Sequence, residues 1–487
     1  MKHKDLIIAL SFANIIFYKY WSVIIYFNPS NSYYFKNFPS AKTYLAFIIS
    51  ELIAGLVVWL GIKLLRYLNN KFILKASKVI FSLVVLNFFY ELIWNHAEKL
   101  EVYGDIYHYL PTTLFVFFII YLLIKRKFIK TAAGASILIA PFVLVIFGQA
   151  IWMMTNADFK NTSETIANPL VIKQDKALPR AVWLLFDEMD QRFAFDDRPK
   201  YVKLPEFDRF KNQAFYATNV TQTGDKTGKA IPSLFTGKIV QKTDTVNSSE
   251  MMITYKDASK AVKWSQEPDI FSEARKLGLK TALSGDGHPY SRILGHKIDY
   301  CQWYDDDWIP DPSASLWYNI YNQLAFLSPF DEGRRGSQIH SEIFNDAQNL
   351  VVNPDYQLVF IHFLIPHAPR INEKWGLINA TQWGYFGNLE LADQTFGSLR
   401  KSMEEQGLWE DTTILITSDH QWRKSDRIDG KKDPRVPFIL KIAGEKNGTV
   451  YQSPFNAVLT KEVLLAILKK QIKTNYDLTE WLNEHRN

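Results

Sequence analysis

The chain has 487 residues, with 56 Lys+Arg against 50 Asp+Glu, and one cysteine, Cys301, which excludes an intrachain disulfide. Fifteen Lys+Arg and six Asp+Glu stand up to residue 154, a balance of +9 there and −3 beyond it. The basic excess therefore belongs to an apolar N-terminal region and is no argument for nucleic-acid binding, which would need a basic patch on the folded domain, so no nucleic-acid partner is expected. A lone Cys of this kind is more often a small buried apolar residue than a nucleophile.

In chain order, five runs come close to the ~20 apolar residues that a membrane-crossing helix needs. They are Leu6–Phe27, Tyr44–Leu65, Val79–Trp94, Leu110–Ile124 and Ala132–Met154. The first lacks a small-residue cleavage site and is read as a retained span rather than a signal peptide. Lys2 and Lys4 precede it. Lys63, Arg66, Lys71, Lys75 and Lys78 follow the second, and Lys125, Arg126, Lys127 and Lys130 follow the fourth. The alternate loops are poor in Lys and Arg, so the N-terminus is expected in the cytoplasm and everything after Met154 outside it. Lys19, Glu51 and Glu91 fall within or at the ends of spans, where costly charge suggests a functional role; the plainer and preferred reading has Glu51 and Glu91 solvated at the outer interface.

Residues 1–154 thus form a transmembrane helical domain, 155–180 a polar linker, and 181–487 a globular domain. In the last, short apolar runs alternate with helical segments. "AVWLLFDE" (181–188), "KTALSGDG" (280–287), "YQLVFIHFLIP" (356–366), "TTILITSDH" (412–420) and "VPFILKIAG" (436–444) read as strands. "DIFSEARKLG" and "NLELADQTFGSLRKSMEEQG" (388–407) read as helices, the second with Leu389, Ala392, Phe396, Leu399 and Met403 on one face. The alternation predicts an α/β fold with a mostly parallel sheet, whose ligands sit beyond the carboxyl ends of the strands. Three strands run into ligand chemistry there: Asp187–Glu188, His367 of "IPHAP", and Asp419–His420. Carboxylates and imidazole at one sheet edge suit a borderline cation.

The segment Thr223–Lys238, "TGDKTGKAIPSLFTGK", has the composition of a phosphate loop. A P-loop requires G-x-x-x-x-G-K-[ST]. Here Gly224 and Gly228 enclose three residues, and Ala230 stands where the magnesium-binding hydroxyl belongs. A nucleotide cradle is excluded on those grounds.

Taken in order, "LLFDE", "KTGKAIPSLFTG", "IPHAP" and "TSDHQWR" resemble the alkaline phosphatase/sulfatase superfamily over roughly residues 180–445. With five spans in front, the chain looks like the membrane-anchored transferase branch, the lipoteichoic acid synthases and lipid A phosphoethanolamine transferases. The resemblance implies a divalent metal, zinc first, with manganese or calcium as alternatives. It assigns Asp187, Asp419 and His420 as metal ligands, Glu188 as a weaker one, and His367 as a substrate-phosphate contact. The nucleophilic Thr of the phosphoethanolamine transferases lies five residues before a Pro, which is Thr227 here and a further metal ligand; Thr223 is the fallback. Lys229 is expected to add positive charge for the transferred group. No role follows for His362. The family's sulfatases carry a Cys or Ser two residues before that Pro for conversion to formylglycine; Ala230 occupies the position and Leu234 replaces the following Arg. Gln421 stands where the family usually has Gly.

The function so implied is transfer of a phospho-headgroup, of phosphoethanolamine or phosphoglycerol type, from a membrane lipid donor. The acceptor would be a cell-envelope glycan or lipid, reached through a phosphothreonine intermediate, by a multi-pass plasma (inner) membrane protein with its catalytic domain outside. A hydrolase, either a phosphodiesterase or an atypical sulfatase, is the alternative within enzymes. A non-catalytic envelope scaffold is the alternative outside them.

Overall fold

The structure is a computed structural model that describes residues 2–98, 115–122, 127–156, 178–306, 308–328, 330–369, 371 and 382–486. The chain divides into two compact units, each holding one short segment from the other's stretch of sequence.

The first unit contains α1 (Lys2–Ile16), α2 (Tyr18–Ile25), α3 (Ala41–Tyr67), α4 (Lys71–Glu98) and α5 (Phe128–Asn156), with Ile309–Pro329. α3, α5 and the Lys71–Tyr90 part of α4 are each long and apolar enough to cross a membrane. The expected first span is not one straight helix: its two halves meet at 68°, and counting the pair as one span gives up to four among the described residues. Of the expected fourth span, residues 115–122 are helical and the rest lies outside the described residues. α1 packs so closely on α3 that a methyl group on Gly55 would lie 2.7 Å from Leu10 Cδ2. Glu51 is not solvated, as its position in the sequence suggested. It is fully buried inside this unit, on the face of α3 that also buries Tyr44, Phe47 and Ala54. The Glu91 side chain lies outside the described residues.

The second unit contains an eight-stranded sheet in the order β12-β2-β11-β10-β1-β9-β7-β8. The four at its centre are β10 (Thr413–Thr417), β1 (Ala181–Phe186), β9 (Leu358–Phe363) and β7 (Thr281–Gly285). They are consecutive and mutually parallel. β11 (Phe438–Lys441) runs antiparallel to both of its neighbours, β10 and β2 (Phe215–Ala217). β8 (Tyr300–Trp303) and β12 (Thr449–Tyr451) close the two edges in parallel. A separate three-stranded antiparallel sheet, β4 (Val240–Asn247), β5 (Glu250–Tyr255) and β6 (Val262–Lys263), lies outside the sequence expectations.

β1 shows why the central strands are apolar throughout. Alternate side chains on a strand face opposite sides, and here both sides are core. Trp183 and Leu185 join one apolar cluster, and Val182, Leu184 and Phe186 join the other. The first cluster takes in Ile231, Leu234 and Phe235 of helix α7 (Thr227–Thr236), which follows α6 (Pro205–Gln213). The second takes in Phe207 and Phe210 of α6, with α8 (Asp331–Val351) and α9 (Gln382–Glu405). Each buried Leu or Phe contributes about 1.5–3 kcal/mol, so the sheet is the rigid frame that carries the strand ends.

Candidate metal centre and active site

Because β10, β1, β9 and β7 are adjacent and parallel, their carboxyl ends open onto one edge. β1 delivers Asp187 and Glu188, β10 delivers Asp419 and His420, β9 carries His362 and leads to His367, and β7 leads to Asp286 and His288. α7 starts at this edge with Thr227 as its first residue.

Asp187, Asp419 and His420 each offer a ligand atom, and the three atoms lie within 4.8 Å of one another. His420 Nδ1 lies 2.9 Å from the Gln421 carbonyl oxygen. A carbonyl only accepts, so Nδ1 carries the proton and Nε2 presents a lone pair. That lone pair faces Asp419 Oδ2 at 3.2 Å and Asp187 Oδ1 at 3.9 Å. Asp187 Oδ1 and Asp419 Oδ2 are buried and have no hydrogen-bond donor among the described residues. Three acceptors converging in a buried place, with the Thr227 hydroxyl as a long donor to them, are costly unless a cation sits there. The donor set of two carboxylates and one imidazole suits a divalent metal, and Thr227 Oγ1 lies 3.4 Å from His420 Nε2. Burial pushes the Asp187 carboxyl well up, and the neighbouring Asp419 and Glu188 add to that. Asp419 is buried too, but His420 and then His362 outweigh burial and hold it below the usual carboxylate range.

Glu188 stands apart from this trio. Its backbone is left-handed, with φ of 61°, a conformation that costs a non-glycine residue roughly 1–3 kcal/mol. Hydrogen bonds hold the turn: Glu188 N–H to Asp419 Oδ1 (3.2 Å), Met189 N–H to Ser418 Oγ (2.9 Å), and Tyr385 O–H to the Glu188 carbonyl (2.9 Å). The carboxylate accepts from Arg423 Nε at 2.5 Å, so Arg423 rather than the metal position engages it. Arg423 also donates to His367 Nε2 at 2.8 Å, which leaves the proton on His367 Nδ1 beside the Ala368 carbonyl. Arg423 supplies a positive charge, with the neutral His367 ring beside it, at a partly exposed rim of the acidic centre. Arg423 lies inside the "TSDHQWR" motif, and only the fold reveals its two partners.

Lys229 pairs with Asp225 at 3.0 Å on the surface of α7. Thr223 is buried and donates to the Ala230 carbonyl at 3.3 Å, a bond that ties the preceding loop to the first turn of α7. His362 is buried beneath the site. It meets Tyr290 O–H through Nδ1 at 2.8 Å, while its Nε2 has no partner among the described residues. Burial pushes its pKa down to about 4. His288, which the sequence did not single out, is buried, reaches the Thr227 carbonyl through Nε2 at 3.3 Å, and is pushed by burial down to about 3. Gly287, at φ of +86°, lies between these groups. A methyl there would come within 3.2 Å of both Thr227 Cγ2 and His362 Cε1.

Comparison with known proteins returns a sulfatase family model over residues 180–458, more than half of the chain. No curated protein matches. Among solved structures, a lipoteichoic acid synthase from Listeria monocytogenes is 16% identical, with a TM-score of 0.42 over 61% of this chain and 73% of its own. A phosphonate monoester hydrolase from Silicibacter pomeroyi is 13% identical, with a TM-score of 0.42 over 60% and 73%. An alkaline phosphatase superfamily protein from Vibrio parahaemolyticus is 14% identical, with a TM-score of 0.39 over 64% and 72%. With a sheet whose central strand ends gather acid, histidine and a helix-starting threonine, and with that family match, the chain belongs to the sulfatase family.

Proposed function

We propose that the protein is a membrane-anchored, metal-dependent phosphotransferase that moves a phospho-headgroup from a phospholipid to an envelope glycan or lipid, with Thr227 as nucleophile. One observation carries this reading: the Thr227 hydroxyl sits at the first turn of α7, 3.4 Å from the imidazole of a buried, donor-poor trio of metal ligands. Asp187, Asp419 and His420 would hold a divalent metal, zinc by its donor set. When bound, such a metal lowers the pKa of a coordinated hydroxyl and offsets charge on phosphoryl oxygens.

The chain's own residues do the rest. Thr227 Oγ attacks the phosphorus of the lipid phosphodiester; a P–O bond to threonine forms, the bond to the diacylglycerol oxygen breaks, and that oxygen leaves with a proton. The acceptor hydroxyl then attacks the same phosphorus, the threonine P–O bond breaks, and Thr227 regains its proton. The N-terminus of α7 favours negative charge developing beside Thr227, and Arg423, with His367 beside it, would contact the diester oxygens. Ala230, in place of the Cys or Ser that formylglycine requires, speaks against the sulfatase reaction. Phosphodiester hydrolysis, in which water takes the acceptor's place, is the second reading, since the same threonine and ligands serve it.

In this reading five spans place the catalytic unit outside the cytoplasm, and anchoring keeps the site at a bilayer that supplies the donor. The test is mass spectrometry of envelope glycans and lipids from cells with and without the protein. A headgroup-sized mass on one component, present only with the protein, supports transfer. A phosphate diester or sulfate ester accumulating only without it supports hydrolysis, and identical profiles overturn both.

A further inference from the structure

The connection between the first two membrane helices contains a segment, Asn28–Lys36, that belongs to the globular unit. Within it Tyr33 is fully buried and forms part of the apolar cluster under α7. Its hydroxyl lies 2.8 Å from His288 Nδ1, and His288 Nε2 lies 3.3 Å from the carbonyl oxygen of Thr227. The chemistry sets every direction in this chain. A carbonyl cannot donate, so His288 is the Nε2–H tautomer and donates to Thr227; its Nδ1 then accepts, and Tyr33 O–H donates to it.

The segment is anchored independently of that hydroxyl. Arg292 donates to the Phe35 carbonyl at 2.9 Å and to the Lys36 carbonyl at 2.5 Å. Lys36 N–H donates to Asp305 Oδ2 at 2.7 Å, and Lys36 Nζ reaches the Trp303 carbonyl at 3.3 Å. Trp264 packs edge-on against the His288 ring at 5.0 Å. Removing one oxygen from Tyr33 therefore leaves the segment and the ring in place.

We infer that Tyr33 is a positioning residue for the nucleophile: through His288 it fixes the Thr227–Gly228 peptide, and so the axis about which the Thr227 hydroxyl swings. The active site is then incomplete without a residue supplied from between two membrane helices. This inference rests on the reading of Thr227 as nucleophile. A misplacement of about 1 Å at such a group can cost as much as a hundredfold in rate; loss of one hydrogen bond in the relay is expected to cost less.

The test uses the full-length, metal-loaded protein with bis(4-nitrophenyl) phosphate as the probe. Tyr33→Phe is expected to lower kcat about tenfold, roughly 1.4 kcal/mol, with KM and bound metal unchanged. The exposed neighbour Tyr34→Phe is expected to match wild type. His288→Asn, too short to reach both partners, is expected to lower kcat, and adding Tyr33→Phe to it to lower it no further. A Tyr33→Phe enzyme with wild-type kcat, or full additivity in the double variant, overturns the relay. A readout free of turnover is the imidazole ¹⁵N spectrum of histidine-labelled protein. His288 is expected as Nε2–H, with Nδ1 shifted by Tyr33→Phe; an Nδ1–H tautomer in the wild type overturns the relay whatever the variants do. If wild type turns over no diester, the functional reading fails and the spectrum alone decides the relay.

Discussion

At the scale of single residues, the site is defined by acceptors that outnumber the donors offered to them. Asp187 Oδ1 and Asp419 Oδ2 are buried with no hydrogen-bond partner among the described residues, and His420 is held by its own neighbouring carbonyl so that Nε2 points at them. Asp419→Asn is expected to weaken metal binding at least about a hundredfold, since even loss of an outer hydrogen bond to a ligand costs 10–100-fold. Thr227→Ala is expected to keep the metal within a fewfold of wild type while turnover of a phosphodiester falls about a thousandfold or more. Metal titration beside a rate assay separates the two, and equal metal loss in both variants would contradict the division of roles. Asp187, Asp419 and His420 could be picked from the sequence because an apolar run ending abruptly in an acid is a strand meeting a polar edge. Arg423, Tyr33 and His288 could not, because their partners lie 235, 255 and 61 residues away along the chain. No local pattern encodes such a pairing.

At the scale of elements, β1, β9 and β10 announced themselves because both of their faces are buried and their runs are uniformly apolar. β2 and the edge strand β12 have three residues each, too few for a period to show. β11 looked like the other strands because periodicity carries no sign for direction, and only the fold shows it running opposite to β10. Helix pairing on the sheet's second face gives a pH test. His340 of α8 lies 3.3 Å from Thr395 Oγ1 of α9, and burial pushes its pKa from 6.5 down to about 4. Between those values the unfolded chain binds more protons than the folded one, so stability falls as pH falls, by up to about 1.4 kcal/mol per unit. Asp393 of α9 works in the opposite sense. Burial raises it from 3.8 to about 7, so its contribution weakens as pH rises through that range. The two are separated by His340→Gln: its melting temperature is expected to fall less than that of wild type between pH 6.5 and 4. Parallel curves would show that His340 does not titrate on unfolding.

At the scale of the whole molecule, charge and hydropathy divided the chain into an apolar and a globular part, but not the exchange of short segments between them. Asn28–Lys36 is a loop by composition, and its incorporation into the globular unit depends on Tyr33 finding a buried place there. Lys and Arg distribution predicts opposite sides of the membrane for the Lys-rich start of α4, which holds Lys75, and for β4, where Lys242 is 69% exposed. With Cys301→Ser as background, an impermeant maleimide applied to intact cells is expected to label Lys242→Cys and not Lys75→Cys. The reverse pattern would invert the topology. The claim on which the rest depends is that Thr227 carries the phosphoryl group. It is tested most directly by quenching the full-length, metal-loaded protein in acid during turnover of a phospholipid and sequencing the adduct by mass spectrometry. The account predicts a headgroup phosphodiester on Thr227, absent from Thr227→Ala and discharged when an acceptor alcohol is added. A covalent phosphoryl adduct on another residue, or steady turnover with no adduct under any quench, would contradict it.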